Sequence, residues 1–177
     1  AGDDGTTTVP AKLVTIDTTT GNVISTTPFD GPTIGPLVLT PDGSRALQLV
    51  SLPDAFAFGG TKVYVIDTTT GTVIAAPLIG DPPNANLPIL LNDDGTTAYV
   101  IRDLSKTISP QITTIDTTTG TVLTNTGIDR GGNITGYTLT AHGTRLLINK
   151  SAGDDGTITV PAKLFVVNTS LGQTIPV

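Results

Sequence analysis

Short apolar stretches alternate with tight turns along the whole chain. Residues 37–39 (Leu-Val-Leu) and 46–50 (Ala-Leu-Gln-Leu-Val) flank the turn Thr-Pro-Asp-Gly at 40–43. Similar apolar stretches flank Asn-Asp-Asp-Gly at 92–95 and Thr-Ala-His-Gly at 140–143. Proline presets φ at the second turn position, and glycine adopts the left-handed conformation that a hairpin turn with a bulge requires. The pattern therefore predicts β-hairpins.

A second kind of turn recurs with a period near 50 residues. Ile-Asp-Thr-Thr-Thr-Gly occurs at 16–21, 66–71 and 115–120, and a diverged copy, Val-Asn-Thr-Ser-Leu-Gly, occurs at 167–172. Successive copies are 50, 49 and 52 residues apart when counted from the Asp or Asn. This spacing is typical of a repeat architecture. The Asp carboxylate can accept backbone N–H bonds within the turn, so we expect its role to be structural.

Each repeat contains two successive hairpins, whose strands we name a to d in chain order. Strands that are apolar on both faces must be covered on both faces. Four-stranded units that stack face to face form a β-propeller. The predicted fold class is therefore all-β, a β-propeller segment of four-stranded antiparallel blades. We expect a single domain over 1–177, with a c–d half-blade at 1–30 and full blades at 34–80, 87–129 and 134–177.

The order of motifs within a repeat is distinctive. An apolar strand leads into Pro-Asp-Gly at 41–43, Tyr-Val occurs at 99–100, and Ile-Asp-Thr-Thr-Thr-Gly-Thr-Val-Ile occupies 66–74. These motifs resemble the YVTN-type β-propeller repeat, and the resemblance covers essentially the whole chain. It implies propeller blades in a bacterial or archaeal protein that is secreted or surface-associated. The chain departs from the pattern at His142 and Asn168, where the repeat has Asp.

The first residues of the chain nearly duplicate a later stretch. Residues 1–13 match residues 152–164 at all but one position. We therefore expect residue 1 to lie inside a b–c loop, either because the chain is a fragment of a longer propeller or because several copies assemble. An unpaired c-strand edge invites pairing with another chain. We expect self-association through the open blade edges, or only marginal order at 1–30.

Composition narrows the classes of partner. Fifteen acidic residues, all Asp, outweigh nine Lys and Arg and give a formal net charge of −6. An acidic chain without a basic cluster is a poor candidate for binding nucleic acid. No apolar run approaches the roughly 20 residues of a membrane helix, so we expect no membrane insertion. The absence of Cys excludes disulfides and thiolate metal sites. The low charge and the lack of oxidisable residues favour an extracellular or cell-surface location.

The loops that vary between repeats are the candidate binding surface. In a four-stranded meander, the a–b and c–d turns share one face, and the b–c and d–a loops share the other. The first set is short and similar between repeats, whereas the second varies in length and chemistry. Recognition usually lies on variable loops held by a rigid scaffold. We expect an unknown protein or glycan to bind this loop face, where the candidate residues are Asp54, Asp103, Lys106, Asp129, Arg130 and Asp154.

Motifs that could carry chemistry are few. Asp154 and Asp155 are the best oxygen ligands for a Ca²⁺ ion, but they lack the alternating spacing and the closing Glu of an EF-hand loop. Gly156 follows them, so a turn explains the pair. His142 occupies a turn position that holds Asp in the other repeats, and we expect it to be structural. No serine nucleophile motif occurs, and we expect neither a cofactor nor a metal.

The predicted function is that of a non-enzymatic structural or interaction module of a secreted or cell-surface protein. One alternative is part of a propeller enzyme, such as a lactonase-like hydrolase, whose active site is completed by further blades. Such an enzyme should place carboxylates, His or a metal at the inner channel mouth, where only Asp81, Asp129 and Arg130 lie near the a strands. The second alternative is a homomeric filament or surface-layer subunit.

Overall fold

The computed structural model describes residues 2–3, 8–52, 60–80, 88–103, 109–169 and 173–175. These residues form antiparallel β-strands with one 3-10 turn at Ala141–Gly143, and the described ranges contain no α-helix. The chain divides into two compact units, which the next paragraphs treat separately. Unit 1 comprises Ala1–Pro82 and Thr117–Thr121, and unit 2 comprises Pro83–Asp116 and Val122–Val177.

Unit 1 contains two two-stranded sheets and a larger sheet. Its strands are β1 (Gly2–Asp3), β2 (Thr8–Val9), β3 (Lys12–Ile16), β4 (Val23–Pro28), β5 (Thr33–Leu39), β6 (Arg45–Leu52), β7 (Gly60–Asp67), β8 (Val73–Ala75) and β9 (Leu78–Gly80). β1 pairs with β2, β3 pairs with β4, and the larger sheet has the order β5-β6-β7-β8. Pro77 lies between β8 and β9, which both pair with β7. β8 and β9 are thus two parts of one interrupted outer strand.

Unit 2 contains two four-stranded antiparallel meanders. Its strands are β10 (Ile89–Leu91), β11 (Thr97–Arg102), β12 (Gln111–Asp116), β13 (Val122–Gly127), β14 (Ile134–Leu139), β15 (Arg145–Lys150), β16 (Gly153–Asp154), β17 (Thr159–Val160), β18 (Lys163–Asn168) and β19 (Gln173–Ile175). The sheet orders are β10-β11-β12-β13 and β14-β15-β18-β19, and β16 pairs with β17 as a short ribbon between β15 and β18. The prediction of an all-β fold built from four-stranded antiparallel blades is confirmed.

The inner strands of the sheets carry the core. In unit 1, β6 is buried from Ala46 to Val50 without interruption. Because successive side chains of a strand point to opposite faces, continuous burial means that both faces of β6 are covered. In unit 2, six buried side chains form one apolar cluster: Ile101, Ile112, Ile128, Leu146, Ile148 and Val167. Burial of both faces explains why these strands read as apolar runs rather than as alternating patterns.

The Asp of the c–d turn is structural, as predicted. The Oδ1 atom of Asp67 accepts hydrogen bonds from the backbone N–H groups of Thr69, at 2.9 Å, and Thr70, at 3.0 Å. Gly71 closes the turn with a φ of +69°. Asp17 makes the equivalent contacts in the first copy of the turn. Backbone donation by Thr70 is the main reason that the pKa of Asp67 lies below its usual range.

The turn carboxylates make stability depend on acid pH. The Thr40 hydroxyl and the Ser44 backbone lower the pKa of Asp42 to about 2. The Thr157 hydroxyl and backbone N–H groups of the same turn lower the pKa of Asp155 to about 2. A carboxyl whose pKa is lower in the folded than in the unfolded state stabilises the fold only while it is ionised. Stability should therefore be fully present above about pH 4 and decrease as the pH falls toward 2.

Urea unfolding of the wild type and of Asp42→Asn at a series of pH values tests this expectation. Asparagine keeps an acceptor oxygen but cannot be protonated in this range, so the variant should show a shallower loss of stability below about pH 4. The loss should persist in about 0.5 M NaCl, because hydrogen bonds within a turn are screened less than separated surface charges. An Asp42→Asn curve with the wild-type slope would contradict the assignment.

Two boundaries differ from those expected from the sequence. β6 extends to Leu52 and β7 begins at Gly60, so this hairpin is longer than the apolar stretches at 46–50 and 63–66. The b–c loop between β15 and β18 contains the ribbon β16–β17, which the sequence did not predict. In both places, backbone pairing continues into stretches that contain few apolar side chains. Strand ends predicted from apolar residues alone therefore fall short of the observed strand ends.

Candidate functional site

Loops and strand ends bring six charged side chains together at one end of the unit 2 sheets. We call this group the charged loop cluster; it consists of Asp103, Asp129, Arg130, Lys150, Asp155 and Lys163. One residue follows β11, two lie between β13 and β14, one ends β15, one lies in the turn of the β16–β17 ribbon, and one begins β18. All six belong to the b–c or d–a connections, which share this end of the meander.

Lys150 is the buried member of the cluster, with only 4% of its surface exposed. Its ammonium group donates a hydrogen bond to the backbone carbonyl oxygen of Asp129. Burial lowers the pKa of Lys150, and the negative charges of Asp103 and Asp129 oppose this shift. A buried ammonium group is costly unless it is partnered. Lys150 therefore ties the end of β15 to the loop that precedes β14.

The exposed side of the cluster presents both signs of charge. The ammonium nitrogen of Lys163 lies 2.8 Å from Oδ2 of Asp129. Arg130 attracts Asp155, which adds to the turn hydrogen bonds that lower the pKa of that carboxyl. The exposed Asp154 precedes Asp155 in the chain, and its side chain accepts a hydrogen bond from the backbone N–H of Gly156 at 2.8 Å. The arrangement suits a partner surface with complementary charges more than a single small ion.

Two glycines set the backbone path between Asp129 and β14. Gly131 and Gly132 have φ values of +77° and +66°. A Cβ atom on Gly132 would lie 2.0 Å from the carbonyl oxygen of Ser151, which belongs to the neighbouring b–c loop. Just beyond, Oδ2 of Asp103 accepts a hydrogen bond from the backbone N–H of Ile134 at 3.1 Å. The loops of the cluster are therefore in direct backbone contact.

The structure brings together most of the described residues that the sequence assigned to the loop face. Asp103, Asp129 and Arg130 are members of the cluster, and Asp154 adjoins it. Three further residues that the sequence singled out, Asp54, Asp81 and Lys106, lie outside the described residues.

Sequence reasoning missed Lys150 and Lys163. A signal for Lys163 was present, because Lys62 and Lys163 each lie five residues before the Asp or Asn of a c–d turn. Lys62 pairs with Asp30 as Lys163 pairs with Asp129. Comparison of these equivalent positions predicts the ion pair. No pattern in the sequence separates Lys150 from an exposed lysine, because its burial depends on loops of distant sequence.

Asp155, which the sequence offered with Asp154 as a calcium ligand, takes part in a turn. Oδ1 of Asp155 accepts hydrogen bonds from the backbone N–H groups of Thr157, at 2.8 Å, and Ile158, at 2.9 Å. These contacts are those of a turn. Across the ranges that the structure describes, no three His, Cys, Asp or Glu side chains group closely enough to hold a metal ion. Within the same ranges, no helix has the length and apolar character needed to cross a membrane.

A cleft in unit 2 lies at the end of its sheets opposite the charged loop cluster. This turn-face cleft has a volume of about 220 Å³. Its lining residues are mostly uncharged and polar, and several carry hydroxyl groups: Asn92, Thr97, Tyr99, Thr114, Leu123, Thr124, His142, Gly143, Thr144 and Thr169. The backbone N–H of His142 donates to Oδ2 of Asp93 at 2.9 Å, and the Thr169 hydroxyl donates to the carbonyl oxygen of Gly143 at 2.6 Å. The sequence placed His142 in this turn but did not predict a cleft.

Known proteins resemble this chain in structure only. No family model and no curated protein matches it. A eukaryotic initiation factor aligns with a TM-score of 0.55 and 12% identity, over 82% of this chain and 31% of that one. Hydrazine synthase from Kuenenia stuttgartiensis aligns with a TM-score of 0.49 and 16% identity, over 91% and 58%. The β-propeller domain of the trilobed protease from Pyrococcus furiosus aligns with a TM-score of 0.48 and 16% identity, over 81% and 42%.

The chain thus spans between 31% and 58% of the length of these three structures. At 12% identity, the similarity to the initiation factor concerns the fold alone. Membership of the YVTN-type repeat family stays a prediction.

Proposed function

We propose that the chain is a non-enzymatic interaction module of a secreted or cell-surface protein, and that it binds a protein partner through the charged loop cluster. The observation that carries the proposal is the convergence of Lys150 and Lys163 on Asp129, which lies in the connection between the two unit 2 sheets. Its carboxylate contacts Lys163, and its backbone carbonyl accepts the hydrogen bond from buried Lys150. Rigidly held charges on variable loops favour recognition.

The hydrogen bonds of the cluster support binding rather than catalysis. Asp103 accepts from the Ile134 backbone, Asp155 from its own turn, and Asp129 from Lys163. A catalytic acid or base needs a pKa tuned toward the working pH and access to a substrate proton. The turn hydrogen bonds lower the pKa of Asp155 to about 2, so this carboxyl is a poor proton donor near neutral pH. The absence of Cys and Met, together with the resemblance to YVTN-type repeats, supports the location outside the cell.

A protein partner fits the cluster better than a glycan does. Arg130 and Asp154 are exposed side chains of opposite charge at its surface, and arginine is enriched at protein interfaces. Complementary charges across such a surface contribute mainly to association rate and specificity. The partner should therefore carry acidic and basic groups in a matching arrangement, and its association should slow as the salt concentration rises.

Parallel binding arrays of secreted proteins and of glycans test the proposal. The variant Arg130→Ser/Asp154→Ser removes one charge of each sign from the cluster surface. Arg145→Ser/Asp93→Asn removes the same charges at the opposite end of unit 2 and serves as the matched control. We expect a protein ligand whose affinity falls roughly tenfold in the cluster variant and stays near the wild-type value in the control.

Three outcomes would overturn the proposal. A protein ligand that binds both variants equally would place the binding surface elsewhere. Selective glycan binding that depends on Arg130 and Asp154 would replace the protein partner with a carbohydrate. Hydrolysis of lactones or esters that depends on Asp103 or Asp129 would favour the enzyme alternative.

A further inference from the structure

Strand β3 has one edge without a partner strand among the described residues. β3 pairs with β4 alone, in a two-stranded sheet. The Phe29 N–H donates to the carbonyl oxygen of Ala11, and the Asp17 N–H donates to the carbonyl oxygen of Asn22. Because the hydrogen bonds of an antiparallel ladder alternate along a strand, the odd residues of β3 face β4. Lys12, Val14 and Ile16 therefore direct their N–H and C=O groups toward the open edge.

The same residues expose apolar surface. Val14 is 40% exposed and Ile16 is 52% exposed, and Val23, which is opposite Ile16, is 60% exposed. An edge that combines free backbone groups with apolar side chains is a template for strand addition. Exposure of these apolar side chains to water also lowers the stability of the fold. The edge therefore has the chemistry of a docking site.

A duplicate of β3 elsewhere in the chain shows what pairs with this sequence. Residues 163–168 (Lys-Leu-Phe-Val-Val-Asn) correspond to residues 12–17 (Lys-Leu-Val-Thr-Ile-Asp), and the 11 residues before each Lys differ at one position. The duplicate strand, β18, is covered on the corresponding edge by β15. There Phe165 lies opposite Ile148, and Val167 lies opposite Leu146. These positions correspond to Val14 and Ile16, so the occupant of the β3 edge should present two large apolar residues at this spacing.

A recurring ion pair indicates that the occupant of the β3 edge also carries a negative charge near Lys12. Lys62 and Lys163 lie in inner strands equivalent to β3, five residues before the Asp or Asn of the c–d turn. Each pairs with an Asp that precedes the first strand of its sheet, Asp30 or Asp129. Lys12 occupies the same position in β3. No ion pair between Lys12 and a carboxylate occurs among the described residues. The missing partner should therefore carry an Asp just before its first strand.

We propose that the open edge of β3 is a docking site for an Asp-led β-hairpin with the chemistry of residues 129–150, supplied by a copy of this repeat outside residues 1–177. The second strand of the hairpin pairs antiparallel with β3, and large apolar residues lie opposite Val14 and Ile16. Its leading Asp pairs with Lys12. Docking turns the two-stranded sheet of β3 and β4 into a four-stranded sheet. This inference does not depend on the charged loop cluster.

Titration of the full chain with a synthetic peptide of residues 129–150 tests the proposal. We expect saturable binding of one peptide per chain, with slower amide exchange at Val14 and Ile16. Val14→Pro removes an N–H group that faces the open edge and leaves the pairing with β4 intact. It should weaken binding at least about tenfold, whereas the matched control Val14→Thr, which keeps that N–H group, should bind within about threefold of the wild type.

A charge exchange provides a test that does not alter the backbone. Lys12→Glu in the chain should weaken binding of the unmodified peptide, and an Asp129→Lys peptide should restore it to the variant. No binding, binding that Val14→Pro leaves unchanged, or amide protection at β18 instead of β3 would overturn the proposal. Failure of the Asp129→Lys peptide to restore binding would overturn the pairing with Lys12.

Discussion

Replacing Gly132 with alanine is expected to destabilise unit 2 by about 2–4 kcal/mol and to disrupt the charged loop cluster. Two effects act in the same direction. A residue with a Cβ atom is strained at a φ of +66°, which costs about 1–2 kcal/mol. The new Cβ would also lie 2.0 Å from the carbonyl oxygen of Ser151. That neighbour is backbone and cannot move away as a flexible side chain would, so the two loops must separate.

Gly43→Ala is the matched control for this prediction. Gly43 has a φ of +70°, but an added Cβ would meet no atom within 4 Å. The control therefore shows strain without a collision, and it should cost about 1–2 kcal/mol. Urea unfolding of both variants, followed by circular dichroism, gives the two values. Equal losses would mean that the contact between Gly132 and Ser151 contributes nothing, and that the loops of the cluster are not in close backbone contact.

Truncation of Ile148 to alanine is expected to reduce the unfolding free energy of unit 2 by about 2–5 kcal/mol. Ile148 is fully buried in the apolar cluster that also contains Leu146 and Val167. Removal of its outer carbons loses transfer free energy and leaves a cavity in a close-packed interior. The same truncation at Ile158, which is 64% exposed, should change stability by less than about 0.5 kcal/mol.

The measurement is the urea midpoint of each variant at constant pH. A lower midpoint with an unchanged slope indicates a loss of stability without a change in the surface exposed on unfolding. A loss at Ile148 no larger than that at Ile158 would contradict the placement of β15 at the centre of its sheet. Intact strand content by circular dichroism before unfolding would confirm that the variant still folds.

The fold could be predicted because its information is local in the sequence. The Oδ1 atom of Asp67 accepts hydrogen bonds from groups within three residues, and Gly71 closes the same turn. Such turns recur with a fixed chemistry, so each copy of the motif locates a hairpin. The apolar runs between them indicated strands buried on both faces, as found in β6. Strand ends were less predictable, because the pairing of Leu52 with Gly60 depends on the backbone rather than on side-chain pattern.

The candidate site was only partly predictable, because it depends on contacts between residues that are remote in sequence. The choice of variable loops pointed to Asp103, Asp129 and Arg130. Lys150 resembles any lysine at the end of a strand, and its burial against the Asp129 carbonyl requires loops that are remote in sequence to meet. The turn-face cleft is also created by residues from two different sheets. Neither the burial of Lys150 nor the turn-face cleft can be predicted from the local sequence.

The meander order of the strands has a consequence for synthesis of the chain. In each sheet, hydrogen bonds join only consecutive strands, apart from the short ribbon inserted between β15 and β18 and the two-part outer strand. Closing short loops costs little entropy and is fast. Each sheet can therefore form soon after its last strand leaves the ribosome, without waiting for residues that are still to be translated. A ribosome stalled once β9 has left the exit tunnel should already carry folded β5–β9, which limited proteolysis of the nascent chain would detect.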